Sequence, residues 1–303
     1  MRDARCISWL NHYVARRQGG AGRRLDMKVG MLTVPFADEP FVDVMDFAES
    51  ASIPCLEVIA NPGSKHINPT GFTQKKAATI KEGLDLRMLE ITSLAYYTVD
   101  ITDPKKVKAV QEHAKKVIDA AALLGVDTVC MIPGFPAAGM NKIETIEKVL
   151  PKAFAPILTH ARKKKVRIAL ENWFMTCLQG LDTFEAMFRC IPDENFGLNY
   201  DPSHLFHQEC DHLLPVTQFK DRIFHVHAKD TLVDQGLRAK VGIYGNGWWR
   251  YVIPGFGNIN WGEFVCHLRI NGYDGVLSIE HEDSTQTRED GFMRGAWHLE
   301  QFC

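Results

Sequence analysis

The stretch Arg222-Ile-Phe-His-Val-His-Ala-Lys-Asp230 begins as an apolar run and ends in ionisable side chains. Its apolar residues have the pattern of a buried strand. His225, His227 and Lys229 are spaced two apart, so they face the same side of that strand. In parallel α/β proteins, ligands bind at the carboxyl ends of the strands. The stretch therefore predicts a buried strand that delivers polar groups to a binding site.

Strand-like runs of this kind alternate with helix-like segments from Met27 to the end of the chain. The predicted strands are Val29–Thr33, Cys55–Ile59, Met88–Thr92, Thr128–Ile132, Arg167–Glu171, Phe196–Tyr200, Ile223–His227 and Val276–Ile279. Predicted helices include Phe41–Ser50, Thr73–Leu84, Pro104–Leu124, Lys142–Lys164, Thr183–Arg189 and Arg288–Phe302. The helix over 142–164 is expected to divide or bend at Pro151 or Pro156.

Eight strand–helix units over residues 27–303 match a (β/α)8 barrel, for which ~250 residues is usual. A doubly wound sheet would need a glycine-rich phosphate turn after its first strand, and here that position reads Val34-Pro-Phe-Ala-Asp38. The predicted fold class is therefore α/β, a single-domain (β/α)8 TIM barrel.

The composition excludes several classes of protein. The formal net charge of -2 gives no sign of a nucleic-acid or membrane partner. The eight cysteines form no C-x-x-C pair and predict reduced thiols in a cytoplasmic protein rather than a disulfide framework. We expect a small-molecule substrate, and the composition leaves a homo-oligomer open.

Residues 1–26 differ from the rest of the chain. They contain six arginines and a glycine-rich run, but they lack the apolar core of a signal peptide. Met27 opens directly into the first predicted strand. We therefore predict an N-terminal extension over residues 1–26 that lies outside the barrel.

Four successive strands in the second half end in residues that bind metals. These residues are Glu171, Asp201, His227 and Glu280. Each alone has a structural explanation, such as a solvated rim carboxylate or a hydrogen-bonded core histidine. Together at one rim, they would form a cluster of carboxylates that needs a cation. Three carboxylates and an imidazole suit Mn2+, Mg2+ or Co2+ better than a thiolate-rich zinc centre.

Five segments carry a resemblance to a known family. They are Ala169-Leu-Glu-Asn-Trp173, Asn199-Tyr-Asp-Pro-Ser-His204, His225-Val-His-Ala-Lys-Asp230, Trp248-Trp-Arg-Tyr-Val-Ile-Pro-Gly255 and Gly272-Tyr-Asp-Gly-Val-Leu-Ser-Ile-Glu-His-Glu-Asp283. In this order and spacing the chain resembles the xylose isomerase-like barrel superfamily, in particular its sugar phosphate isomerase/epimerase group.

The resemblance implies one divalent metal ion held by Glu171, Asp201, His227 and Glu280. Mn2+ is the expected ion, with Mg2+, Co2+ or Zn2+ as alternatives. It also implies that Glu171 and Glu280 act as the acid/base pair on opposite faces of the substrate. His204 would contact the substrate or support the site.

Two positions depart from the ketose 3-epimerases of this superfamily. Cys177 stands where those enzymes carry a Glu, and Val233 stands where they carry an Arg. The segment Lys229-Asp230 resembles the inosose dehydratase and general isomerase/epimerase branch more closely. The third and fourth predicted strands end without the histidines of the trinuclear zinc endonucleases, which argues against a three-metal site.

The implied chemistry is proton transfer beside a carbonyl through a metal-stabilised enediolate. The leading hypothesis is a sugar, sugar phosphate or polyol isomerase or epimerase. A lyase or dehydratase acting on a keto-sugar, keto-glycoside or inosose through the same enediolate is the alternative. A phosphodiester-cleaving enzyme and a non-catalytic sugar-binding barrel are more distant hypotheses.

Three further residues are candidates for binding the substrate. Lys229 would place a positive charge near the enediolate or a phosphate, or else pair with Asp230 or another acid. Trp173 would wall the sugar pocket or pack in the core. Arg250 lies in the aromatic and glycine-rich segment 231–260, which predicts either a lid over the site or a subunit interface.

Removal of residues 1–26 tests the predicted domain boundary. A chain that starts at Met27 is expected to fold, because the first strand of the barrel begins there. Far-UV circular dichroism and a cooperative thermal transition would measure this. A truncated chain without a cooperative transition would contradict the boundary.

Overall fold

A computed structural model describes residues 27–303, and these form a barrel of parallel strands surrounded by helices. The strands are β1 (Lys28–Leu32), β2 (Cys55–Ile59), β3 (Glu90–Tyr96), β4 (Thr128–Met131), β5 (Arg167–Glu171), β6 (Phe196–Tyr200), β7 (Ile223–Ala228), β8 (Asp230–Val233), β9 (Trp249–Val252) and β10 (Val276–Ile279). Eight of these described strands close the barrel in the order β1-β10-β7-β6-β5-β4-β3-β2. The predicted α/β barrel is confirmed.

The helices lie between the strands in sequence. They are α1 (Phe41–Ser50), α2 (Gln74–Asp85), α3 (Val107–Leu124), α4 (Lys142–Lys148), α5 (Leu150–Lys164), α6 (Leu181–Cys190), α7 (Ser203–Phe206), α8 (Leu214–Gln218), α9 (Gln235–Val241), α10 (Trp261–Ile270) and α11 (Arg288–Glu300). The predicted helix over 142–164 divides into α4 and α5 just before Pro151, while Pro156 lies inside α5. Short 3-10 helices cover Val34–Phe36, Asp100–Thr102 and Lys220–Arg222. None of the helices formed by residues 27–303 is both long and apolar enough to cross a membrane.

The third strand differs from its predicted bounds of Met88–Thr92. Met88 lies in the left-handed region at a φ of 55° and is exposed, so it belongs to the turn that precedes the strand. The strand continues to Tyr96, with Ala95 paired to Ile59 of β2. The polar run Thr92-Ser93 concealed this continuation, because its side chains belong to a polar layer inside the barrel. The shift brings the following residue, Tyr97, to the site.

Polar side chains fill part of the barrel interior. Glu57 of β2 and His227 of β7 belong to strands that are not neighbours, yet their side chains are 3.0 Å apart. Asn199 of β6 and His225 of β7 are buried in the same layer and hydrogen-bond to each other. The main apolar core lies instead between the strands and the surrounding helices. The inside of the barrel is therefore available for a polar site.

Strands β8 and β9 form an antiparallel hairpin outside the barrel, with α9 at its tip. The Asp230 carboxylate anchors the chain that follows the hairpin. It accepts hydrogen bonds from the backbone N–H groups of Thr231, Gly255, Gly257 and Ile259 and from the indole of Trp261. A Cβ at position 257 would lie 2.2 Å from the carboxylate, so this close approach requires glycine.

The predicted extension over residues 1–26 lies outside the described residues, so its separation from the barrel stays a prediction. The first described strand, β1, begins at Lys28, and the barrel boundary at Met27 likewise stays a prediction.

Replacing Asp230 with Ala is expected to lower the free energy of unfolding by about 3 kcal/mol, because it leaves buried donors without an acceptor. Urea denaturation would measure the loss. Asp234→Ala is the control, since Asp234 only caps α9 through the N–H of Leu237 and its loss should cost about 1 kcal/mol. Equal losses in the two variants would contradict the anchoring role of Asp230.

Candidate metal centre

Four neighbouring strands deliver the predicted ligands to one rim of the barrel. Glu171 is the last residue of β5, Asp201 follows β6, His227 lies near the end of β7 and Glu280 follows β10. One potential ligand atom of each residue lies within 4.8 Å of the others. The order of strands in the barrel therefore assembles residues that are up to 109 positions apart.

Two of these potential ligand atoms are buried without a hydrogen bond. They are Asp201 Oδ2 and His227 Nδ1. His227 Nδ1 lies 3.0 Å from Glu280 Oε2 and 3.5 Å from Glu171 Oε1. An unsatisfied buried polar atom costs about 1–3 kcal/mol. A cation among the four residues would satisfy both atoms, so the donor set fits a metal ion.

The fully buried Lys229 ammonium already supplies one positive charge to this cluster. Its Nζ lies 2.7 Å from Glu280 Oε2, 3.2 Å from Asp201 Oδ2 and 3.5 Å from Glu282 Oε2. Burial lowers the pKa of Lys229, but these carboxylates outweigh burial and raise the pKa well above its usual value. Of the predicted alternatives, an ion pair with Asp230 or another acid, the structure has pairs with Glu280 and Asp201, whereas the Asp230 carboxylate binds the backbone after the hairpin.

The net charge at the rim is negative and would be balanced by a divalent cation. Three ligand carboxylates and the Lys229 ammonium sum to two negative charges. Burial raises the pKa of Glu171, but contacts with His204 and His227 outweigh it and lower the pKa. Burial also raises the pKa of Glu280, and Lys229 does most to reverse this and lower it. Both carboxylates are therefore held in the charged form.

A second cluster, formed by Glu57, Cys130 and His225, lies deeper in the barrel. Its members have hydrogen-bond partners: His225 Nδ1 lies 3.0 Å from Asn199 Oδ1, and Nε2 lies 3.2 Å from Thr92 Oγ1. Burial does most to raise the pKa of the Cys130 thiol, which keeps it protonated and a poor ligand. This cluster is a satisfied polar layer, in contrast to the rim.

Two residues that contact His227, Glu57 and Tyr97, are not among the site residues predicted from the sequence. Glu57 Oε2 lies 3.0 Å from His227 Nε2, and the Tyr97 hydroxyl donates to the other carboxylate oxygen. Burial raises the pKa of Glu57, but the charges of His227 and His225 outweigh it and lower the pKa to about 2. The one available signal was an acidic residue inside the apolar run Cys55–Ile59.

The predicted substrate-binding residues lie at different distances from the rim. His204 is buried against the cluster, with Nε2 at 3.3 Å from Glu171 Oε1 and Nδ1 at 2.6 Å from the Tyr251 hydroxyl. Lys229 lies among the carboxylates of Glu171, Asp201 and Glu280. Arg250 pairs with Asp283 at 2.9 Å, so a carboxylate already occupies its guanidinium.

Trp173 lies in an aromatic cluster beside the rim. Its ring packs against Phe135 and Phe174, with centroid distances of 5.7 and 6.4 Å. Phe174 in turn contacts the ring of His204. Phe174 thus lies between Trp173 and His204, which contacts Glu171. A contact of Trp173 with the substrate stays a prediction.

The hairpin formed by β8 and β9 contributes an aromatic wall. Trp249 stacks on His207 with centroids 3.9 Å apart, and Phe174 meets both rings edge-on. Tyr251 contacts His204 and presents its ring 4.6 Å from Lys229 Nζ. The segment 231–260, predicted as a lid or a subunit interface, therefore packs on the site through Trp249 and Tyr251.

A family model described as a xylose isomerase-like TIM barrel matches residues 45–302. The chain belongs to this family, as the resemblance of its motifs indicated. The barrel closure and the position of the cluster at the carboxyl ends of the strands agree with this assignment.

The chain is similar to several characterised and uncharacterised proteins. An uncharacterised Bacillus subtilis protein, YfiH, is 26% identical over 310 residues, covering 91% of this chain and 99% of the relative. An inosose dehydratase of Clostridium perfringens is 22% identical over 271 residues, covering 85% of this chain and 90% of the relative. The crystal structure of a D-tagatose 3-epimerase-like protein matches with a TM-score of 0.71 at 20% identity, covering 91% and 97% of the two chains. The family includes enzymes.

Replacing Lys229 with Met is expected to lower the free energy of unfolding of the metal-free protein by about 3–5 kcal/mol, since it leaves buried carboxylates uncompensated. Mn2+ should then raise the melting temperature of the variant more than that of the wild type, because the ammonium no longer opposes the cation. Both effects are measured by thermal denaturation with and without Mn2+.

The matched control is Lys148→Met, which removes an exposed ion pair with Glu144 and should cost about 0.3–0.5 kcal/mol. Similar losses in the two lysine variants would contradict the role assigned to Lys229. The same conclusion would follow if Mn2+ stabilised the Lys229 variant less than the wild type.

Proposed function

We propose that this protein is a divalent-metal-dependent isomerase or epimerase that moves a proton beside a carbonyl of an uncharged sugar or polyol. The observation that carries the proposal is the pair of buried atoms without a hydrogen bond, Asp201 Oδ2 and His227 Nδ1, that lie beside Glu171 and Glu280. The family match supports a reaction on a small carbohydrate.

Glu171, Asp201, His227 and Glu280 would hold the ion. Three carboxylates and an imidazole favour a hard or borderline cation, so Mn2+ is the expected ion, with Mg2+, Co2+ and Zn2+ as alternatives. Bound there, the ion would act as a Lewis acid that polarises the substrate carbonyl and makes the neighbouring carbon acid stronger.

Glu171 and Glu280 would exchange the proton with the substrate. Both carboxyl pKa values are lowered, so each side chain begins as a base. One carboxylate would take the proton from carbon and, now a carboxylic acid, return it to the adjacent carbon of the enediolate, which isomerises the sugar. Inversion would require the opposite carboxylate to take up a proton from solvent first and donate it to the other face, while the first carboxyl releases its proton to solvent. A positioned acid/base group typically contributes about 10²–10⁴-fold to the rate.

Lys229 and His204 would hold substrate oxygens while negative charge develops. The Lys229 ammonium lies 3.2 Å from His204 Nε2, and both contact the carboxylates of the rim. A fixed positive charge in a water-poor site stabilises an enediolate oxygen without reorganisation.

The charges around the site favour an uncharged substrate. Lys229 and Arg250, the two cations predicted for this region, already contact carboxylates. Glu282 also lies beside Lys229, and burial raises the pKa of its carboxyl group. When this group is ionised, it adds a further negative charge that would repel an anionic substrate. A phosphate group would need a free cation, and the aromatic wall of Trp249 and Tyr251 instead suits the apolar face of a sugar ring.

A dehydratase is the second candidate, and a specific contact favours it. Elimination requires an acid that protonates a departing hydroxyl, and the Lys229–His204–Tyr251 chain of contacts offers one beside the carboxylates. The similarity to an inosose dehydratase supports it, as do Cys177 and Val233 at positions where the ketose 3-epimerases carry Glu and Arg.

Proton exchange in D2O tests the proposal. The Mn2+-loaded protein is incubated with keto-sugars, inososes and their phosphates, and the carbon-bound protons are followed by NMR. We expect metal-dependent deuterium uptake beside a carbonyl of an uncharged compound, slowed by about 10²-fold or more in Glu171→Gln and Glu280→Gln. Glu144→Gln, an exposed helix variant, is the control.

Metal content is measured in each variant, so that loss of the ion is separated from loss of the base. Product spectra distinguish inversion, isomerisation and loss of water. Faster exchange on phosphorylated sugars would contradict the uncharged substrate. No exchange on any compound, with a metal ion tightly bound, would contradict the proposed reaction.

A further inference from the structure

His227 contacts carboxylates on both sides of its ring. Nδ1 faces the rim, where it lies near Glu171 and Glu280 without a hydrogen bond. Nε2 faces the barrel interior, where Glu57 Oε2 lies 3.0 Å away. Both side chains of the His227–Glu57 pair are fully buried. The ring is therefore fixed between the interior carboxylate and the rim.

A neutral imidazole carries its one proton on either nitrogen, and a carboxylate can only accept. If Nε2 had no proton, its lone pair would point at the negative Glu57 oxygen, which lies 3.0 Å away inside the protein. With the proton on Nε2, the same contact becomes a charge-assisted hydrogen bond. The lone pair is then on Nδ1, the atom that faces Glu171 and Glu280.

Two other groups lie near His227 Nε2, the Tyr97 hydroxyl at 3.1 Å and Asn199 Nδ2 at 2.9 Å. The hydroxyl donates its one proton to Glu57, so Asn199 is the donor that would favour a lone pair on Nε2. Charge-assisted hydrogen bonds are roughly twice as strong as neutral ones, so the carboxylate outweighs the amide. The same Nδ2 also lies 3.1 Å from the Tyr97 hydroxyl oxygen and donates to it. Asn199 therefore has another acceptor when Nε2 carries the proton.

We propose that Glu57 is a positioning residue that keeps the proton of His227 on Nε2 and so presents Nδ1 to the metal ion. Glu57 acts from the second strand of the barrel, opposite the four strands that carry the ligands. Tyr97 and Ser278 hold its two carboxylate oxygens, Ser278 at 2.9 Å. Carboxylate partners of this kind orient metal-binding histidines and raise their basicity. The inference rests on the proposed metal binding.

Metal affinity, measured without reference to turnover, tests this role. Mn2+ and Zn2+ dissociation constants are determined by competition with a chelator for the full-length wild type, Glu57→Gln and Ser278→Ala. The amide introduced by Glu57→Gln has nearly the same shape as the carboxylate but can donate to Nε2, which moves the proton to Nδ1. We expect Glu57→Gln to weaken binding by about 10–100-fold and Ser278→Ala to weaken it by less than about tenfold.

Nitrogen-15 NMR of the Zn2+-loaded wild type provides a second measurement that needs no Glu57 variant to fold. The His227 ring is assigned by the loss of its signals in His227→Gln, and the directly bonded proton is expected on Nε2. A proton on Nδ1 would overturn the inference, as would equal affinities of Glu57→Gln and Ser278→Ala. A wild type that binds neither ion would contradict the proposed function together with this inference.

Discussion

Buried negative charge is the constraint on which the site depends. Glu57, Glu171 and Asp201 are almost completely removed from water, and Glu280 is nearly so. Carboxylates in such surroundings persist only with positive partners and hydrogen bonds. The Lys229 ammonium supplies positive charge between them, and His227 Nε2 lies 3.0 Å from Glu57 Oε2. Two ligand atoms still have no hydrogen bond, and a divalent cation is the natural partner for both.

The barrel makes this concentration of charge possible. Parallel strands in register bring their carboxyl ends to one rim, so side chains from β5, β6, β7 and β10 meet there. The apolar core between strands and helices carries most of the burial that stabilises the fold. The interior is thereby free to hold a polar layer, in which Glu57 reaches His227 from a strand on the other side. The hairpin of β8 and β9 then covers one side of the rim with aromatic rings.

The sequence was sufficient for the barrel and for the residues of the rim because both depend on local patterns. Apolar runs that end in or just before Glu or Asp predicted the ends of β5, β6 and β10, and β2 also has its predicted bounds. The interior layer depends instead on contacts across the barrel. Glu57 and His227 are 170 residues apart, and nothing near Glu57 in the sequence indicates its partner.

The remaining differences have similar physical causes. The third strand was placed too early because its interior side chains, such as Ser93, are polar and interrupt the apolar pattern. The pairing of Arg250 with Asp283 depends on a hairpin that the sequence did not reveal, and a contact of Arg250 with substrate stays a prediction. Lys229 was predicted to pair with Asp230 or another acid, and it pairs with Glu280 and Asp201 because the Asp230 carboxylate binds the backbone after the hairpin.

The most direct test of the account is the position of the metal ion. Crystals of the full-length protein soaked in Mn2+ should give one anomalous difference peak among Glu171, Asp201, His227 and Glu280, with His227 bound through Nδ1. A peak at Glu57, Cys130 and His225 instead, or the absence of a peak at the rim, would contradict the central claim.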